Sequence, residues 1–237
     1  MKYEFTIIVP VYNEEDNLKR VEQELSDYLK IASKKTNILF VNDGSKDNSQ
    51  LLIEEICVNN PDFSYISFEQ NQGLSAAIAA GFKQVDAELV GYIDSDLQTA
   101  PEDFNLLLAH IGEYDLVTGV RTGRKDSFVK NMSSTIANGI RRAFTHDGMD
   151  DTGCPLKVIK TEYAKNIPMF NGLHRFLPAM ILLQNGKIKQ IPVQHFPRIA
   201  GVAKYGLWNR LIGPLIDCFA YVWMKKKYLN YKIVKKG

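Results

Sequence analysis

Asp94-Ser95-Asp96 sets two carboxylates two positions apart, directly after the apolar run Leu89-Val90-Gly91-Tyr92-Ile93. Side chains alternate along an extended segment, so residues 94 and 96 are expected to point the same way at the mouth of a buried strand. Two like charges that close repel unless something positive lies between them. A divalent cation meets that need, and oxygen ligands suit Mg²⁺ or Mn²⁺. Gln98 extends the row and could orient a ligand or a metal-bound water. An ordinary solvated turn accounts for the same acids, and the pair alone does not separate the two readings.

Further polar clusters give the pair company. Asp43, in Asn42-Asp43-Gly44-Ser45, could accept from a base N–H or a ribose hydroxyl, or simply make a turn. Pro10, Tyr12 and Glu14 could shape the same pocket; equally they are a strand terminator, a surface aromatic and a helix N-terminal charge. Gly73 opens a stretch of small residues, Ser75 to Gly81, that permits close helix packing or the close approach of a ligand. Arg121, Arg124 and Lys130 add positive charge, and arginine's planar fork of donors suits phosphate. A metal at Asp94 and Asp96 would bridge a diphosphate and stabilise it as a leaving group. No Gly-x-Gly-x-x-Gly follows the first apolar run and no Walker loop is present, so dinucleotide and triphosphate cradles are unsupported. Nor is there a persuasive Ser-His-Asp set or Cys-His pair: His146, His174 and His195 read as structural, and His110 as a residue suited to a helix C-terminus.

These residues need a frame. Apolar runs at 5–11, 37–41, 64–68 and 89–93 alternate with helical patterns at 14–31, 47–58 and 75–85, the first capped by Asn13. Such an order predicts a parallel, three-layer sheet with right-handed crossovers. Ligands bind such sheets outside the carboxyl ends of the strands, and all four polar clusters fall at those ends. Downstream, 115–120 reads as a strand ending at Arg121, 127–145 as helical, 157–159 as a short strand, 173–183 as a helix and 187–193 as a strand.

The chain has 237 residues, 45% of them hydrophobic, which suits one large domain or one domain with an appendage. Three separated cysteines, Cys57, Cys154 and Cys218, give no disulfide framework, which fits a reducing compartment; the amino terminus lacks a signal-peptide layout. The net charge of +2 is uneven: residues 225–237 hold six lysines and no acid, leaving −4 for residues 1–224. An acidic body with a basic tail argues against general nucleic-acid binding and points to an anionic surface. Just before the tail, Leu207, Trp208, Leu211, Ile212, Leu215, Ile216, Phe219, Ala220, Val222 and Trp223 form a broad apolar helical face. The apolar stretch 211–224 is too short, and too interrupted by Pro214 and Asp217, for a transmembrane helix. An interfacial helix, a helix packed on its own domain and one packed on another subunit all fit.

Several segments resemble family 2 inverting glycosyltransferases of the GT-A fold, and the polyprenyl-phosphate and dolichyl-phosphate sugar transferases among them. They are Ile8 to Glu14, Val41 to Asp47, Asn71-Gln72-Gly73, Ala79 to Phe82, Asp94 to Gln98 with Pro101-Glu102, and Gly119-Val120-Arg121 with Arg124 to Ser127. Asp151-Thr152-Gly153-Cys154, Ile191-Pro192-Val193 and the stretch from Arg198 through Gly201 to Lys204-Tyr205 complete the set, so the likeness spans residues 4–212. Departures are Lys130, Ala203, Pro155, Lys157 and Asn42, where relatives often carry other residues.

The resemblance implies a three-layer α/β/α sandwich with a mostly parallel central sheet, a catalytic domain over 1–205 and an amphipathic helix with a basic tail over 206–237. It implies a UDP- or GDP-linked sugar donor, Mg²⁺ or Mn²⁺, a polyprenyl-phosphate acceptor, and a cytoplasmic, peripheral place at the inner membrane face, on lipid or on a small membrane-protein partner. Self-association is left open. By position, Asp43 would contact the base, with Pro10, Tyr12, Glu14 and Gly73 around the donor. Asp94, Asp96 and Gln98 would surround the metal, Asp94 also facing the donor. Arg121 and Arg198 would face phosphates, Asp151 would stand where a base is suggested, and Lys204 would lie near the diphosphate. A saccharide or glycolipid hydroxyl acceptor is the alternative, and a non-catalytic sugar-nucleotide-binding subunit a third.

Overall fold

The computed structural model describes residues 2–122, 139, 141–197, 207–229 and 234–235. Its first half alternates strand and helix: β1 (Phe5–Val11), α1 (Glu15–Ile31), β2 (Thr36–Asn42), α2 (Ser49–Asn59), β3 (Phe63–Ser67), α3 (Leu74–Gln84) and β4 (Leu89–Tyr92). A 3-10 turn (Pro101–Asp103), α4 (Phe104–Leu108) and β5 (Leu116–Arg121) follow. Beyond them come α5 (141–145), β6 (Lys157–Lys160), α6 (Thr161–Lys165), a second 3-10 turn (Leu173–Phe176), α7 (Leu177–Leu183), β7 (Ile188–Val193) and α8 (Leu207–Lys227).

The strands form one seven-stranded sheet in the order β3-β2-β1-β4-β6-β5-β7. β1 pairs in parallel with β2 and β4, β2 with β3, and β5 with β7, while β6 runs antiparallel between β4 and β5. A strand covered on both faces reads as an unbroken apolar run, as Phe5 to Val9 does. On one face, α1, α2 and α4 bury Leu18, Val21, Leu25, Tyr28, Ile53, Ile56, Phe104 and Leu107. On the other, α3, α6, α7 and α8 contribute Ala77, Ile78, Phe82, Ala164, Leu177, Met180, Cys218 and Tyr221. The buried positions of α1 recur at three- and four-residue spacing, the stripe of a helix lying on a sheet.

The structure differs from the sequence reading in three places. Asn13 does not cap α1. It sits at φ 50, its backbone N–H donates to Ser45 Oγ, and its Oδ1 accepts the Lys46 N–H, while Glu14 occupies the cap position. Residues 173–183 form a 3-10 turn and then a helix, because Pro178 belongs to a fresh first turn. The acid pair stands in a turn rather than an extended segment, its Asp94 carbonyl accepting the Leu97 N–H at 3.1 Å. The part of the expected helix 127–145 before residue 141 lies outside the described residues, apart from helical residue 139.

Candidate active site

β1, β2, β4 and β5 all end at one edge of the sheet, and β6, running the other way, begins there. The reversed strand matters because the loop that precedes it, Asp151 to Leu156, is thereby delivered to the edge where Arg121 leaves β5. Asp151 takes a two-point fork from Arg121, Nε to Oδ2 at 2.7 Å and Nη2 to Oδ1 at 2.8 Å. The Arg121 backbone N–H adds a third contact to Oδ2 at 3.3 Å. Both side chains are largely buried. Burial works against the guanidinium charge, but the hydrogen bond and charge of Asp151, with Cys154 and Asp94 nearby, hold its pKa above the ordinary value.

Beneath this fork lies Lys157, fully buried. Its ammonium donates to the carbonyls of Thr152 and Cys154 and sits 5.3 Å from the centre of the Tyr92 ring. Burial pushes its pKa down. Tying the carbonyls on both sides of Gly153 stiffens the turn that carries Asp151.

In the Asp94–Leu97 turn, Ser95 and Leu97 are buried while Asp94, Asp96 and Gln98 are partly open, so the alternation expected of a strand survives in the turn. Leu97 manages this at φ 44, a conformation costly for a leucine and held here by core packing. Arg20 of α1 reaches the turn from below, Nη1 and Nη2 lying 3.4 and 3.2 Å from the carbonyls of Asp96 and Leu97, while its Nε pairs with Glu24. On the far side the Gln98 carbonyl accepts the Phe196 N–H and meets His195 Nδ1, and Gln98 Nε2 donates to the Phe196 carbonyl. His195 thereby contacts the loop that carries the acid pair.

Those donors fit a hard divalent cation. Two carboxylates and an amide oxygen are the ligands such ions prefer. Among the described residues no group of three or more His, Cys, Asp or Glu side chains stands ready to enclose a metal. Asp94 and Asp96, with Gln98 beside them, would hold such an ion and leave its other positions to substrate phosphate and water, the usual manner for Mg²⁺.

Asp43 is buried, with both oxygens turned to the next loop. Oδ1 accepts the Gln72 N–H at 2.7 Å, and Oδ2 accepts the Gly73 N–H at 2.9 Å and the Asn71 amide at 2.8 Å. Gly44 follows at φ 67 with the backbone of Gln70 and Asn71 packed against it. The loops after β1 and β2 are laced together: the Glu14 N–H donates to Ser49 Oγ, the Glu15 N–H to Asp47 Oδ2, and the Asn48 N–H to Glu15 Oε2. Glu14 also accepts from Asn17 Nδ2, and Pro10 and Tyr12 lie half-buried at the end of β1. A separate groove of 380 Å³, lined by Tyr3, Thr6, Asn37, Tyr65, Gln84 and Asp86 among others, lies at the opposite edge of these strands.

The structure thus gathers Pro10, Tyr12, Glu14, Asp43, Gly73, Asp94, Asp96, Gln98, Arg121 and Asp151 along one edge. Arg198 and Lys204 lie outside the described residues, as do Arg124 and Lys130. Sequence reasoning missed Arg20, whose place in the middle of an amphipathic helix carries no local signal. Lys157 did carry one, a lysine in an otherwise apolar run.

The family model described as glycosyl transferase family 2 matches residues 6–167. Among solved structures, glucosyl-3-phosphoglycerate synthase from Mycobacterium tuberculosis, in complex with Mn²⁺, uridine diphosphate and glucosyl-3-phosphoglycerate, superimposes with a TM-score of 0.72 at 14% identity, over 96% of this chain and 81% of that one. A mannosyltransferase from Pyrobaculum calidifontis, in complex with GDP-Man and Mn²⁺, gives 0.67 at 17% identity, over 94% of this chain and 65% of that one. The likeness is one of fold and agrees with the GT-A architecture expected from the sequence.

Proposed function

The chain belongs to glycosyl transferase family 2, and from that premise we propose that it moves a sugar from a UDP- or GDP-linked donor to a polyprenyl phosphate, inverting the anomeric carbon. The observation that carries the reading is the meeting of the Asp94–Leu97 turn with the Arg121–Asp151 fork at one sheet edge, close enough for the Asp94 charge to act on Arg121. One solved neighbour is in complex with Mn²⁺, uridine diphosphate and glucosyl-3-phosphoglycerate, the other with GDP-Man and Mn²⁺. Asp94 and Asp96 would hold Mg²⁺ or Mn²⁺, which when bound neutralises charge on the departing diphosphate.

This chain's own residues do the rest. Asp43 holds the 71–73 loop that, with Pro10, Tyr12 and Glu14, walls the nucleotide pocket. Arg121, fixed by Asp151, offers its remaining N–H donors to phosphate oxygens. Arg198 and Lys204 are assigned to acceptor and donor phosphates by their place in the family pattern. A lipid monophosphate has a second pKa of about 6, so its oxygen is already largely ionised near neutrality. Asp151 then serves to orient Arg121 rather than to remove a proton. Residues 1–205 form the catalytic part in this reading, and 206–237 the appendage that holds it peripherally at the inner membrane face.

A hydroxyl acceptor is the second reading, favoured by the buried carboxylate of Asp151 in the place of a base. The test is a donor panel with Mn²⁺ and polyprenyl phosphate, analysed for lipid-linked sugar. Transfer to saccharide or glycolipid hydroxyls with none to polyprenyl phosphate would overturn the first reading.

A further inference from the structure

α8 has two unlike faces. Cys218 and Tyr221 are buried against the domain, the Tyr221 ring stacked on Phe176 at 5.6 Å. Leu215, Ile216, Phe219 and Trp223 face outward at 41, 62, 60 and 67% exposure. At 3.6 residues per turn these four fall within an arc of about 100°, one continuous stripe. Phe219 is steadied edge-on by Phe144 at 5.2 Å. Exposed Lys225, Lys226 and Lys227 end the helix, and Lys226 and Lys227 fall on or beside the arc of the stripe.

Asp217 is the single acid in α8 by sequence, and it is turned inward. Its Oδ2 accepts from Arg175 at 3.1 Å and crowds Gly172 so closely that a Cβ there would stand 2.2 Å away. The Gly172 N–H donates to Ser75 Oγ at the start of α3, two residues after Gly73, whose own N–H is held by Asp43. The middle of α8 is thereby pinned to the sheet edge that carries the candidate active site.

We propose that the Ile216–Phe219–Trp223 stripe and Lys225–Lys227 dock this chain on an anionic lipid surface, setting the active-site edge beside the headgroups. Charge selects this occupant over a second copy. The outward face combines bulky apolar side chains with a lysine cluster and no acid, which complements acidic headgroups, whereas the same face of a second copy, paired with itself, would set lysines against lysines. Among the described residues no helix is long and apolar enough to cross a membrane, and a two-faced helix ending in lysines suits the plane of the interface. The proposal extends the lipid-acceptor reading and is tested apart from it.

The full chain is mixed with vesicles of phosphatidylcholine, or of phosphatidylcholine with phosphatidylglycerol, neither containing a polyprenyl lipid. Flotation should recover it with the anionic vesicles and weaken at high salt. The double substitution Phe219→Ser with Trp223→Ser should cut partitioning at least tenfold. Lys225, Lys226 and Lys227 to Gln should each cost roughly fivefold. Both sets should keep their melting curves and their transfer to a short-chain, water-soluble polyprenyl phosphate. Equal binding to both vesicle types, unchanged partitioning of the variants, or a dimer in light scattering that Phe219→Ser dissolves would each overturn the docking surface. Vesicle binding without transfer to any polyprenyl phosphate would overturn the acceptor reading and leave this surface standing.

Discussion

Gly153 lies so close to Arg121 that a Cβ on it would stand 3.0 Å from Nη2, and 3.5 Å from Asp151 Oδ1. The absence of a side chain at 153 lets the turn before β6 close on the guanidinium. The fork uses two of Arg121's five N–H donors, and in the proposed reaction the others serve an anion. Arg121→Lys keeps the charge and loses the fork, so kcat/KM should fall about a hundredfold or more, with only a modest change in melting temperature. Asp151→Asn keeps the shape and loses the charge. With a phosphate acceptor, its transfer rate should fall while the pH–rate profile keeps its form. Loss of one limb of that profile would instead make Asp151 a general base.

Asp96→Asn removes one of two carboxylates while Arg20 continues to hold the carbonyls of the turn. The protein should melt within about 1 kcal/mol of the parent, as for a surface change away from the core. Sugar transfer should drop at least a hundredfold at saturating donor, and the Mn²⁺ concentration for half-activity should rise. Removing the cation with a chelator should silence the parent, and Mn²⁺ should restore it. Unchanged activity and metal response in Asp96→Asn would remove the acid pair from the reaction.

Gly44→Ala tests how Asp43 is positioned. A Cβ at 44 would stand 2.4 Å from the Gln70 carbonyl carbon and 2.6 Å from the Asn71 nitrogen, and the backbone is already at φ 67. Both the clash with backbone and the left-handed conformation oppose alanine. The 70–73 loop must move, and its hydrogen bonds to Asp43 with it. Donor affinity, measured by nucleotide titration, should weaken tenfold or more, with a stability loss of about 1–3 kcal/mol. Wild-type affinity would show that the loop takes no part in the donor pocket.

The first half of this molecule was legible because helices alternate regularly with parallel strands. β1 to β4 all run the same way, β4 lying beside β1, and each apolar run stops at a polar cluster, so one rule about strand ends located Asp43 and Asp94. The second half breaks that alternation. β6 reads as a short strand, but nothing local says that it lies antiparallel between β4 and β5, and this placement alone brings Asp151 to Arg121. The family resemblance, rather than periodicity, singled out Asp151. Arg20 was illegible for the same reason: its partners, Asp96 and Leu97, are 76 and 77 residues away. The outward stripe of α8 was visible as apolar periodicity, but which residues of the broad face meet the domain depended on the tertiary packing of Tyr221 and Cys218.

His174 makes the joint between α3 and α8 sensitive to acid. Ser75 Oγ accepts the Gly172 N–H and lies 2.7 Å from His174 Nδ1, an arrangement satisfied when the hydroxyl donates to an unprotonated Nδ1. Burial first, then the charges of Arg175 and Lys157, pull the His174 pKa down to about 3. An unfolded histidine titrates near 6.5. Between those values the unfolded chain binds the extra proton, so stability rises with pH across the window and is lost as pH falls from about 6.5 towards 3. The slope from this one group is at most about 1.4 kcal/mol per pH unit. His174→Gln should cost about 1 kcal/mol above pH 7 through the weakened Ser75 contact. It should also flatten the acid limb, so that in urea melts the parent's advantage vanishes near about pH 6 and reverses towards pH 4. Parallel curves over that range would show that His174 is not held neutral at the joint.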